Sequence, residues 1–111
     1  MTHGLWLKEA DTAPKLQATL KNGTVAANLT GATVKVRMEE LSTSKSILDA
    51  TATITDAPNG LVEYQWAAAD VDTPGAYRVE FFVTYAGGLI QRFPQRGYLE
   101  VVIAERIEAP V

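Results

Sequence analysis

The stretch from Asp70 to Tyr85 constrains the fold of this chain more than any other. It opens as a turn, Asp70-Val71-Asp72-Thr73-Pro74-Gly75, in which Pro74 fixes φ and Gly75 permits a sharp corner. From there β-branched and aromatic residues dominate. Tyr77, Val79, Phe81, Val83 and Tyr85 fall on one face at period two, and Arg78, Glu80 and Thr84 fall on the other. A run of this kind must bury one face. It predicts a central strand that the rest of the chain packs around.

The same period recurs on both sides of it. Leu16, Ala18 and Leu20 alternate with Lys15, Gln17, Thr19 and Lys21, and Asn22-Gly23 then signals a turn. Leu29 is the expected anchor of the weakly patterned piece that follows. Thr33 to Glu40 reads as a strand with Val34, Val36 and Met38 inward, and Leu41 to Ser46 as an exposed loop. The small residues of Ala50 to Thr55 predict an edge, or a surface shared with another subunit. Asp56-Ala57-Pro58-Asn59-Gly60 is the strongest turn. Strands are expected over Leu61 to Trp66, Leu89 to Phe93 and Tyr98 to Ile103, with Pro94 to Gly97 interrupting the last two. Ala67-Ala68-Ala69 is too short for a helix.

One domain is what 111 residues allow. About seven to eight short strands with turns every 8 to 12 residues or so predict an all-β fold, an immunoglobulin-like antiparallel β-sandwich. It is expected over residues 11–104, after an N-terminal arm or edge strand (1–10) and before a C-terminal tail (105–111). Asp72, Gly75 and Tyr77 are spaced as in a tyrosine corner, where the hydroxyl bonds back to backbone upstream. Trp66 is the candidate core tryptophan.

The inventory for catalysis is poor. There is no cysteine and one histidine, His3, which argues against nucleophilic and zinc chemistry and leaves no cofactor to expect. Asp70 and Asp72 are weak calcium candidates, because two carboxylates near a loop could supply oxygen ligands; with no further ligand nearby, a solvated acidic turn is the simpler reading. Two sequons, Asn22-Gly23-Thr24 and Asn28-Leu29-Thr30, have no secretion signal to serve them. Arg92 and Arg96 flank Phe93-Pro94, a small basic patch suited to a carboxylate, or simply two solvated strand-end arginines. A net charge of −3 argues against nucleic acid, and no apolar run is long enough for a membrane span.

The ordered set Asp11-Thr12-Ala13-Pro14, Asn22-Gly23, Leu29-Thr30-Gly31-Ala32-Thr33-Val34, Asn59 to Trp66, Asp72 to Phe81, Phe93-Pro94 and Gly97-Tyr98 resembles the N-terminal domain of the phage baseplate upper protein family. The resemblance implies a non-enzymatic structural protein of a tailed bacteriophage virion, made in the host bacterial cytoplasm. Most directly it implies an accessory tail or baseplate attachment module without the long downstream region of a baseplate upper protein. A capsid decoration protein of the same fold is the alternative. A host-surface carbohydrate-binding module using Trp6, Phe82 and Tyr98 is a further one. Other virion proteins are the implied partners, in a symmetric homo-oligomeric array. Leu5, Trp6, Leu7, Ile107 and Val111 are the candidate interface residues.

Overall fold

A computed structural model of the chain describes residues 4–95 and 97–107. Its strands are β1 (Gly4–Lys8), β2 (Leu16–Thr19), β3 (Lys21–Asn22), β4 (Val25–Ala26), β5 (Thr33–Glu40), β6 (Ser46–Thr51), β7 (Thr53–Asp56), β8 (Leu61–Tyr64), β9 (Gly75–Thr84), β10 (Ile90–Phe93) and β11 (Leu99–Ala104). Among the described residues the one helical piece is a single 3-10 turn, Ala68–Val71.

The strand expected to be central is central. β9 pairs antiparallel with β5 along Tyr77–Thr84, and its other edge is shared between β11 and β10. Tyr77, Val79, Phe81 and Val83 are each at most 1% exposed, as the alternation requires. The sheet order is β1-β11-β9-β5-β6 with β10 beside β9; a second sheet runs β2-β8-β7, and β3 and β4 form a small hairpin. Leu16 and Val62 from the second sheet join Val34, Val36, Phe81 and Val101 from the first in one core, to which Leu29 also belongs. The two sheets therefore enclose a common apolar layer.

Among the described residues eleven strands stand where seven to eight were expected: the two-residue β3 and β4 add two, and the break between β6 and β7 adds another. Phe93 stands opposite Phe81 and Leu99 opposite Val79, so the β9 ladder breaks between Phe93 and Leu99. Pro94 has no N–H to give the ladder, which ends β10 there. Between β6 and β7 the chain passes from one sheet to the other at Ala52, whose N–H donates to the Val34 carbonyl at 2.8 Å. Ala52 is buried, so part of the small-residue run expected at a shared surface serves this chain's own core. The N-terminal apolar burst is also recruited inward. β1 lies parallel to β11, with Leu7 buried and Leu5 packed on the core.

Candidate functional site

Three surfaces deserve description, beginning with the corner. The Tyr77 hydroxyl donates to the Thr73 carbonyl at 2.6 Å. Burial, followed by the charges of Glu40 and Asp72, raises its pKa above the ordinary tyrosine value, so it remains a donor. The Tyr64 hydroxyl donates to Asp70 Oδ2 at 2.6 Å, and the Ala67 N–H donates to the same oxygen at 2.8 Å. Burial and the Asp70 carboxylate push Tyr64 up to about 12. Asp70 thus ties the 3-10 turn to β8, and Asp72 Oδ1 accepts from the Thr73 hydroxyl at 3.0 Å. Trp66 is 2% exposed, donates from Nε1 to the Pro14 carbonyl at 3.1 Å, and meets Tyr64 edge-on. These contacts hold a turn together, and among the described residues no group of three acidic, His or Cys side chains converges on it.

The second surface is the outward face of the six-stranded sheet. The Phe82 ring lies 4.2 Å from the Arg37 guanidinium and 4.9 Å from that of Arg92, a doubled cation–π contact. Asp49 sits 3.4 Å from both Lys35 and Arg37. Desolvation pushes its carboxyl up, but the hydrogen bonds and charges of those two cations outweigh this and hold it below its ordinary value. Arg78 pairs with Glu39 beside a shallow hollow that Tyr98 helps to line. Phe82 is therefore covered by guanidinium groups, whereas Trp6, on edge strand β1, is 69% exposed. Arg92, expected to form a basic patch with Arg96, shares the Phe82 ring with Arg37, and Arg96 lies outside the described residues.

The third surface is a cleft of about 540 Å³ between β2 and the β10–β11 side of the larger sheet. Leu5, Ala18, Leu20, Phe93, Leu99 and Val101 contribute to its walls. At one end Gln91 and Gln95 both donate through Nε2 to Asn22 Oδ1, at 2.6 and 2.8 Å, and so tie the β3–β4 hairpin to β10 and the segment after it. Gln65 Nε2, just past β8, donates to the Thr12 carbonyl ahead of β2 at 2.6 Å, within the side of the fold that carries the smaller sheet. Along the cleft the two sheets stand apart. The sequence pattern identified β2 and the inward residues of β11, but no local signal announces the gap, because it depends on which strand lacks a neighbour.

Of the candidate interface residues, Leu7 at 4% exposure belongs to the core, and Leu5 packs against the core and lines the cleft. Trp6 points away from the core, because its neighbours at either side of the pleat point in. Ile107 is 95% exposed. Val111 and His3 lie outside the described residues.

A family model described as the BppU N-terminal domain matches residues 6–98. The chain belongs to this family, named for the baseplate upper protein of phages. The BppU N-terminal domain match spans the tyrosine-bonded turn, the Phe82 stack and all of β2 and β10. It stops just before β11, although β11 lies between β1 and β9 in the sheet. No curated protein matches the chain.

Proposed function

We propose that this chain is a non-enzymatic structural component of a tailed-phage virion, an accessory module that attaches at the tail or baseplate. The observation that carries this is the BppU N-terminal domain match over residues 6–98. Baseplate proteins work by holding other virion proteins, so the partners are structural neighbours in the particle. Such particles are symmetric, which favours several copies per particle. The architecture is taken as an immunoglobulin-like sandwich over residues 11–104 with β1 added at its edge. Support comes from the two sheets around one core, the Tyr77–Thr73 bond and the buried Trp66. A chain without cysteine and with a single histidine supports a role without catalysis.

Separated heads and tails probed with an antibody to the purified chain test the proposal. Signal in the tail fraction is expected. Signal confined to heads replaces it with capsid decoration. Signal in neither, together with hits on a glycan array, replaces it with a host-surface carbohydrate-binding module.

A further inference from the structure

We infer that the cleft beside β2 receives an extended strand from a partner protein, one with apolar side chains at alternate positions and carboxylates at both ends. The strand adds to the free edge of β2 and places its inward side chains between the sheets. This names the kind of partner in the attachment proposal and rests on that proposal for its biological setting.

Two observations converge on a strand as the occupant. The first is the backbone. Among the described residues β2 pairs with β8 alone, so its other edge presents N–H and C=O groups with no strand beside them. The opposite edge strand of that sheet, β7, is irregular, with a register shift between Ile54 and Asp56. Such irregularities blunt an edge against pairing. β2 keeps an unbroken register from Leu16 to Thr19 and has no such protection. The second is the cleft itself, about 540 Å³ and walled by Leu5, Ala18, Leu20, Phe93 and Leu99 directly alongside that edge. An apolar small molecule would fill the hollow and leave the backbone edge unpaired. A strand satisfies both, because its main chain bonds the edge while alternate side chains enter the cleft.

Charge selects the partner. Lys15 and Lys21 bracket β2, six residues apart and so roughly 20 Å along an extended chain. Lys15 is shared with Glu63 at 3.1 Å, and Lys21 makes no ion pair among the described residues. A second copy of this chain is a poor occupant. Two β2 strands paired antiparallel about Ala18 would set Lys15 of each opposite Lys21 of the other, and like charges opposed across strands destabilise the pair. A strand with acidic ends reverses that sign.

The probe is the capped peptide Glu-Val-Thr-Val-Thr-Val-Glu, whose end-to-end spacing equals that of Lys15 and Lys21. Its control has the same residues in the order Glu-Val-Val-Val-Thr-Thr-Glu. Each is titrated into isotope-labelled chain and followed by amide NMR. The alternating peptide is expected to shift the amides of Leu16–Thr19 and of the Phe93–Gln95 wall, and to bind at least about tenfold more tightly than the control. Ala18→Phe fills the cleft and is expected to weaken binding by about tenfold or more. Should that variant fail to fold, Lys21→Glu decides the matter: it weakens the Glu-ended peptide and strengthens a Lys-ended one. Equal binding of the two peptides, no binding at millimolar concentration, or shifts centred on β7 overturns the inference. So does a dimer in sedimentation that Ala18→Phe abolishes, which would make a second copy the occupant. The peptide assay uses the isolated chain and the antibody assay uses particles, so failure of one is distinguishable from failure of the other.

Discussion

Replacing Tyr77 by phenylalanine removes one hydroxyl from the corner and nothing else of substance. The ring is 1% exposed and stays in the core, so no cavity forms and the packing contribution is unchanged. What is lost is the 2.6 Å bond to the Thr73 carbonyl. A net hydrogen bond contributes about 1 kcal/mol, and stranding a buried acceptor costs about 1–3 kcal/mol. Thr73 is exposed, so water reaches its carbonyl and the cost falls at the lower end. Tyr77→Phe is therefore expected to destabilise by about 1–1.5 kcal/mol, equivalent to a fall in melting temperature of roughly 4–6 °C for a domain of this size. Urea unfolding followed by tryptophan fluorescence measures it, with the midpoint lowered and the slope unchanged. A loss below about 0.3 kcal/mol would refute the structural importance assigned to this bond. A changed slope would show that the substitution altered the compactness of one of the states.

Trp66→Ala is expected to cost about 3–5 kcal/mol in the same assay, since it empties a core site and frees the Pro14 carbonyl; a cost under about 1 kcal/mol would contradict the core role. Gly60→Ala should cost more than about 2 kcal/mol, because φ is +70° there and a Cβ would come within 2.6 Å of the Leu20 carbonyl and 2.9 Å of the Ala27 carbonyl. Stability near neutrality would show that the backbone can give way. Tyr64, raised from 10.0 to about 12, binds its proton more tightly when folded, so its contribution is complete below pH 10 and is lost as the pH rises through about 12. Phenolate absorbance should show a late-titrating step that Tyr64→Phe removes; its persistence would reassign the step to another tyrosine.

Much of the fold was legible because the chain alternates cleanly. Val34, Val36 and Met38, then Tyr77 through Val83, and then Val101 and Ile103, are buried where period two places them. The breaks were harder to see. Pro94 marks an interruption, but that Phe93 and Leu99 face residues of β9 only two apart is a property of the pairing. Likewise Ala52 looks like one more small residue until β6 and β7 are found in different sheets. Gly60 reads as an ordinary turn glycine, and the carbonyls that exclude a side chain belong to Leu20 and Ala27, far away in sequence. The surfaces were least legible. Phe82 reads in the sequence as a candidate binding aromatic, yet Arg37 and Arg92 reach it from two other strands. Leu5 and Leu7 carried an apolar signal that local sequence cannot divide between a partner and the chain's own core. Parallel pairing of β1 with β11 divides it, leaving Trp6 outward.

The most direct test of the attachment role is a cryo-electron microscopy reconstruction of the intact particle in which this chain is placed by its shape, about 54 × 25 × 23 Å. The account predicts copies arranged around the tail or baseplate, each contacting another virion protein. Copies on the head lattice, or density for the chain nowhere on the particle, would contradict it.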